Sequence, residues 1–472
     1  MSMHSIFSHP SRSHDLKVDS MHGVKAIFEP ESVVLIGSST MSEKVGMTSP
    51  RLFKNVTHNM HRYFKGKTFV VDLDGESGYG SVDMLPETPD LAVVMLPPEG
   101  SIAQAEKSAR SGVKAFVMIT GGYTDGQRKR LLRLRERYGC RILGPNTIMG
   151  VVNTANGLNT TFERDAMPRK GNIAVVSQSG GVGAYVLDWA LFYHIGISKL
   201  VFVGDKLDVD DVDLLQYLGE DRRTKAICLY MEGVKNGREF LECARKVVDK
   251  KPILALKGGT TQESALRAKS HTSSIAGSDE IFDAAFKKAG IVRVGAVDEL
   301  MDMAVALSKQ PSMKGNSVAI VSNVGGPAIL AADAVSRNGL KLARLSAETR
   351  SQIERLYPGV DATNPIDLIA DAKADRYAKV LELVLRDKNV DGVLVINMLK
   401  STFFDPRDAL VIPKVAAKHP GKPVVDVPAG GEDFAKVYKV LGNSTVPLYN
   451  LPEKAAKALK VLWTYGKIAA RH

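Results

Sequence analysis

The chain has 472 residues, too many for one ordinary core; at about 100–200 residues per domain it predicts two to four domains, with three as the working number. Hydrophobic content of 44% and charged content of 24% are ordinary for globular proteins and exclude a wholly disordered or fibrous chain. No apolar run reaches the roughly 18–20 residues that span a bilayer, and the start of the chain lacks the apolar centre of a secretory signal, so a cytoplasmic protein without membrane association is expected.

Residues 1–24 carry four of the ten histidines (His4, His9, His14, His22) without periodicity and read as a mobile tail. Their spacing matches no ligand pattern, and Cys140, Cys228 and Cys243 are too scattered for a zinc site or a disulfide framework, so no metal is expected. The first domain is assigned to 25–160. Ser32–Gly37, Thr68–Asp72, Leu91–Leu96, Ala115–Ile119 and Arg141–Gly144 read as strands, with helices over Ile102–Gly112 and Gln127–Gly139. Such alternation predicts a right-handed parallel sheet covered on both faces. The net charge of +11 raises the question of nucleic acid. The densest basic stretch, Arg128 to Arg141, lacks interleaved aromatics and reads as a solvated helix face; a polyanionic small ligand accounts equally for some of the excess.

A run rich in Pro, Asn and Gly at 153–172 separates a second domain, 168–309, with strands at Asn172–Ser177, Lys199–Val203, Ala226–Tyr230 and Pro252–Leu256 and a helix over Glu280–Gly290. The pattern restarts in a third, 315–472, with strands at Ser317–Val321, Gly392–Ile396 and Pro423–Val427. The fold class is α/β, with three doubly wound parallel-sheet domains and no fixed repeat period.

In open parallel sheets ligands bind beyond the carboxyl ends of strands, where helix N-termini offer unpaired N–H groups. The first such turn, Gly37-Ser38-Ser39 with Lys44 and Gly46, suits the phosphates of a nucleotide tail or is a plain turn. It lacks the G-x-G-x-x-G fingerprint, which disfavours an NAD(P)-dependent oxidoreductase. Ser177-Gln178-Ser179-Gly180-Gly181 is a stronger phosphate cradle, because it joins a strand to a helix N-terminus carrying about half a positive charge. A tight turn needing glycine only for its geometry is the bland alternative. His271 lies among Ser270, Thr272, Ser273 and Ser274, in a loop setting rather than on an apolar helix face. It is either a solvated surface residue or a nucleophile that carries a phosphoryl group. In the second case Glu232, at a strand end, is the candidate acceptor for the other ring nitrogen, and a helix cap is the alternative role for that carboxylate.

Taken in order, Gly144-Pro145-Asn146, the Ser-Gln-Ser-Gly turn, Tyr230-Met231-Glu232-Gly233-Val234 and Ser270-His271-Thr272 with Ala276-Gly277-Ser278-Asp279 resemble the alpha subunits of ADP-forming acetyl-CoA synthetases, in the succinyl-CoA synthetase superfamily. The likeness runs from about Glu31 to the end. It implies a Rossmann-like CoA-binding domain followed by two flavodoxin-like domains of the succinyl-CoA synthetase type. It further implies an acid–thiol ligase working through acyl phosphate and a phosphohistidine at His271 steadied by Glu232. Ser177, Gln178, Ser179, Gly180 and Gly181 would hold the phosphoryl group. Gly37, Ser38, Ser39, Lys44, Gly46, Pro97, Pro98 and Asn146 would surround CoA. The three domains leave no segment for an ATP-grasp module, so Mg2+ and ADP or ATP are expected on a separate beta subunit, in an α2β2 heterotetramer. Two departures stand out: Ser273 replaces a common glycine, and Asp72-Leu73-Asp74 replace Asn-Pro-Lys, removing a cation and adding two acids near a phosphate-bearing ligand. They slightly favour, and the intact His271 and Glu232 oppose, the alternative class, a non-catalytic CoA- or nucleotide-binding regulator of the same fold.

Overall fold

The computed structural model describes residues 21, 23–40, 49–75, 78–265, 279–401 and 404–471. Most of the expected tail, Lys44, Gly46, His271 and Ser273 lie outside them. The chain forms two compact units, one from residues 1–247 with 257–282, the other from 248–256 with 283–472.

The first unit holds two sheets. In one, β1 (Ser32–Gly37), β2 (Lys67–Asp72), β3 (Leu91–Val94), β4 (Ala115–Met118) and β5 (Arg141–Leu143) run in the order β2-β1-β3-β4-β5, parallel throughout. Helices on both faces leave every residue of β1, β3, β4 and β5 buried, so these strands read as continuous apolar runs rather than alternating ones. Val34, Ile36, Val94, Phe116 and Ile142 form the centre of this core, each contributing about 1.5–3 kcal/mol.

The basic stretch lies on helix Asp125–Tyr138, which Thr124 starts with a reciprocal capping box and Gly139 ends in the left-handed region at φ 65°. Several of its cations have carboxylate partners: Arg128 with Asp205 at 2.6 Å, Arg130 with Glu99 at 2.5 Å, Arg135 with Asp208 at 2.8 Å. Just beyond the helix, Arg141 is buried between Asp208 at 3.0 Å and Asp213 at 2.8 Å. Much of this charge is therefore spent within the fold.

The Pro/Asn/Gly-rich break is not wholly irregular. It contains β7 (Leu158–Asn159), antiparallel to β6 (Val151–Asn153), which in turn runs antiparallel to β9 (Ile197–Phe202). Strands this short have no readable period. In the same sheet β8 (Lys170–Ser177) is parallel to β9 on one side and to β10 (Ala226–Met231) on the other. Helix Gly180–Phe192 packs closely on it: a Cβ at Gly183 would lie 1.8 Å from the Phe202 ring.

Within the second unit, β11 (Ile253–Lys257) pairs in parallel with β12 (Val292–Val294) through Leu254–Leu256. β13 (Ser317–Ser322), β14 (Lys341–Leu342), β15 (Ile366–Asp367), β16 (Gly392–Asn397) and β17 (Val424–Pro428) form the third sheet, in the order β14-β13-β16-β17 with β15 beside β13. Val321, Ile366, Tyr377, Leu381, Val393 and Ile412 belong to its core. All three cysteines are free and buried, as core residues.

Candidate active site

In the first sheet the strand order departs in both directions from β1, so the crevice between β1 and β3 is the switch point at which such sheets bind ligands. Gly37-Ser38-Ser39 lead out of β1, while Pro97 caps and Pro98 begins helix Pro98–Arg110 beyond β3. The structure thus brings these five positions to the two sides of one crevice. Asn146 follows β5, three strands from β1 and therefore about 14 Å along the sheet at 4.8 Å per strand.

Asp72 ends β2, where its Oδ1 accepts from the backbone N–H of Ser39 at 2.9 Å, and the residue is 2% exposed. Its carboxylate thereby takes one of the amides that the turn would otherwise offer to an anion. Ser38 is buried, and its Oγ accepts from Thr40 N–H at 3.3 Å.

The segment that carries Asn146 also runs beside the second site. The Asn146 side chain donates to Asp205 at 3.2 Å, and the segment runs on through Ile148, whose Cγ2 would lie 2.8 Å from a Cβ at Gly180. A side chain at Gly180 would press on the Ile148 methyl where the chain from the first sheet passes the start of helix Gly180–Phe192.

At that helix start Ser179 is the N-cap and accepts from Val182 N–H at 3.4 Å. The first amides of a helix have no partner inside it, and here they open at half-exposed Gly180 and exposed Gly181. Ser177 is fully buried, and its hydroxyl donates to the Ser179 carbonyl at 2.7 Å, holding the turn. Gln178 is 7% exposed and faces the neighbouring strand: its N–H donates to the Tyr230 carbonyl at 3.0 Å, and its Oε1 accepts from Glu232 N–H at 2.9 Å and Gly233 N–H at 3.3 Å. Of the five residues expected to hold phosphate, Ser179, Gly180 and Gly181 are therefore the ones with surface to offer.

Glu232 follows β10 directly and is 8% exposed. Its Oε1 accepts from the Tyr230 hydroxyl at 3.3 Å, while Oε2 is buried with no partner among the described residues. Burial first, then the Glu232 charge, pushes the Tyr230 phenol up to about 12, so it stays protonated and donates. A buried carboxylate oxygen without a donor costs about 1–3 kcal/mol. The chain that continues toward residue 271 starts alongside: Gly258 N–H donates to the Met231 carbonyl at 2.9 Å.

Lys206, in the left-handed region at φ 52° and 3% exposed, carries no local sequence signal. Its ammonium donates to Asp211 at 2.6 Å and to the Gly233 carbonyl at 3.0 Å, so it anchors the loop after Glu232. No group of His, Cys, Asp and Glu able to hold a metal ion occurs among the described residues, and none of their helices is long and apolar enough to cross a membrane.

Three family models divide the chain: a CoA binding domain over 31–153, a succinyl-CoA ligase like flavodoxin domain over 170–307 and a ligase-CoA domain over 318–470. Together they place it in the class of CoA ligases built like succinyl-CoA ligase. The alpha subunit of acetate–CoA ligase [ADP-forming] II from Pyrococcus furiosus is 38% identical over 456 residues, covering 93% of this chain and 97% of that one. The solved acetyl-coenzyme A synthetase 1 of Candidatus Korarchaeum cryptofilum, described as dinucleotide forming and in complex with phosphate and ADP, superimposes with a TM-score of 0.86 at 30% identity, covering 95% of this chain and 98% of that one. The chain belongs to the family of alpha subunits of ADP-forming acetate–CoA ligases. It also spans 63% of a longer relative, the 4-hydroxybutyrate–CoA ligase [ADP-forming] of Nitrosopumilus maritimus, at 31% identity.

Proposed function

We propose that the chain interconverts acyl-CoA, phosphate and ADP with carboxylic acid, CoA and ATP, and that His271 carries the phosphoryl group between the two halves of the reaction. The observation that carries this reading is the pairing of Glu232 Oε2, buried and unpartnered, with an open helix N-terminus at Gly180–Gly181, both reached from neighbouring strand ends. An imidazole N–H supplies the donor that Oε2 lacks. The helix amides and the Ser179 hydroxyl receive the phosphoryl oxygens.

In the first half, phosphate attacks the thioester carbonyl; the C–S bond breaks, and CoA leaves as thiol with acyl phosphate formed. One ring nitrogen of His271 then attacks phosphorus. The N–P bond forms, the P–O bond to the acyl group breaks, and the carboxylate leaves with its electron pair. The other ring nitrogen keeps its proton, and Glu232 stabilises the positive ring. The helix N-terminus offsets charge on the phosphoryl oxygens in transfer. The first domain holds CoA at the β1/β3 crevice, with Gly37, Ser38, Ser39, Pro97 and Pro98 beside it and Lys44 and Gly46 from outside the described residues.

Transfer to ADP is assigned to an ATP-grasp beta subunit that brings Mg2+ and the nucleotide, in an α2β2 assembly. Helix Gly180–Phe192 supports a partner: Asp188 is its one charged residue, and Tyr185 and Phe192, seven residues apart, are 71% and 75% exposed. A helix apolar on every side is normally covered. With acyl-CoA and labelled phosphate the chain should gain an acid-labile, base-stable phosphoryl group at His271. A chain that binds CoA yet takes no label from acyl-CoA, nor from Mg-ATP with its partner, is instead a non-catalytic CoA-binding regulator, the reading that Asp72 at the first turn favours.

A further inference from the structure

Glu232 stands at the end of its strand, where the ladder that fixes backbone position has run out. We infer that Gln178 is a positioning residue for Glu232, and that with Lys206 it clamps the two peptide units flanking Gly233 so that the phosphate-cradling turn and the histidine-orienting carboxylate are set by one another. This inference rests on the phosphohistidine reading and adds to it a residue that does not touch the reacting atoms.

The geometry is that of a side chain continuing a β-ladder. The backbone N–H of Gln178 makes a rung to Tyr230 at 3.0 Å, and its side-chain Oε1 makes the next two, to Glu232 N–H at 2.9 Å and Gly233 N–H at 3.3 Å. Two converging N–H donors require an acceptor, so they fix which end of the amide faces them. Gly233 is then gripped through both of its peptide units, the preceding one at its N–H by Gln178 and the following one at its carbonyl by the buried Lys206 ammonium at 3.0 Å, itself neutralised by Asp211 at 2.6 Å. With the backbone held, the Tyr230 hydroxyl on Oε1 sets the carboxylate rotamer and leaves Oε2 for the imidazole. Gln178 lies between Ser177 and Ser179, so a shift of either strand end moves cradle and carboxylate together. A misplacement of about 1 Å at such a pair costs on the order of a hundredfold in rate.

The test uses the full chain with labelled phosphate and, as donors, acetyl-CoA and 4-hydroxybutyryl-CoA. Gln178→Met keeps length and removes the acceptor; Gln178→Asn keeps the amide but is a methylene too short to reach, and serves if the first does not fold. Either should slow formation of phosphohistidine at least tenfold at unchanged CoA affinity. The effect should largely vanish in a Glu232→Gln background, because both changes remove the same placement of the carboxylate. Amide exchange at Glu232 and Gly233 should rise in Gln178→Met and return to the wild-type rate in Gln178→Glu, which restores an acceptor oxygen. Wild-type labelling rates in Gln178→Met and Gln178→Asn, or losses that multiply with that of Glu232→Gln, overturn the clamp. A wild-type chain unlabelled by these donors and also by Mg-ATP with the partner subunit overturns the phosphohistidine reading itself and the role of the clamp with it, while the exchange rates still report whether Gln178 holds these two amides.

Discussion

Replacing Glu232 by Gln removes the charge and leaves the shape. The 8% exposed residue has one oxygen held by Tyr230 at 3.3 Å and the other with no partner among the described residues, so its single open interaction is the one assigned to the imidazole. Hydrogen bonds to charged groups contribute about 1.5–3 kcal/mol, and the positive ring formed during transfer strengthens this one. Losing it should slow phosphorylation roughly 10- to 150-fold. CoA affinity should hold, because the CoA crevice lies in a different sheet. Rapid-quench labelling from acyl-CoA and phosphate gives the rate, and equilibrium titration gives the CoA affinity. A variant that loses CoA affinity but phosphorylates at the wild-type rate would falsify the pairing.

Asp72→Asn keeps an acceptor for Ser39 N–H and removes a charge from beside the CoA crevice; CoA should bind about two- to fivefold tighter at low ionic strength, by calorimetry, and the gain should shrink with salt. Unchanged affinity would show that Asp72 is screened from the ligand. Gly183→Val should destabilise the first unit by about 1–3 kcal/mol in denaturant melts, since even a Cβ would meet the Phe202 ring at 1.8 Å. Arg141→Met removes the buried cation that Asp208 and Asp213 share and leaves Asp208 with its Arg135 ion pair, and about 3–5 kcal/mol of stability should be lost. Burial holds Asp426, fully inaccessible beside Asn397, well above the usual carboxylate range. It keeps its proton to higher pH in the folded chain than in the unfolded one, so its contribution is fully present below the unfolded value and is lost as pH rises from there through the folded value. Asp426→Asn should therefore raise stability near pH 7 by thermal melts, with the difference closing toward about pH 4; an equal difference at both pH values would contradict this titration.

The strands were legible because burial on both faces writes them as apolar runs. Ser32–Gly37, Arg141–Leu143 and Gly392–Asn397 stand within a residue of where the sequence puts them. β7 was not, because two residues inside a Pro/Asn/Gly-rich segment carry no period and owe their conformation to β6 beside them. The candidate site divides in the same way. Ser179, Gly180 and Gly181 are readable as a helix start, and Glu232 as a strand end, since both are local patterns. The side-chain direction of Gln178 is not, because it depends on β10 lying next to β8, a pairing between segments some fifty residues apart. Lys206 is missed for the same reason: its two partners, Asp211 and the Gly233 carbonyl, are brought together by the fold, and an isolated lysine after a glycine gives no sign of them. In the sequence Asp72 reads as an added charge near the ligand; that it turns inward to hold Ser39 follows from the register of β1 with β2, which sets Gly37 opposite Asp72.

His271 is the proposed phosphoryl carrier. Incubation of the full chain with acyl-CoA and labelled phosphate, followed by mass spectrometry of the peptide spanning residues 266–278, measures it directly. A single phosphoryl group on His271 that survives base, is lost in acid and is absent from His271→Asn is the expected result. An unmodified wild-type chain, with label absent also after Mg-ATP and the partner subunit, or equal label on His271→Asn, would contradict it.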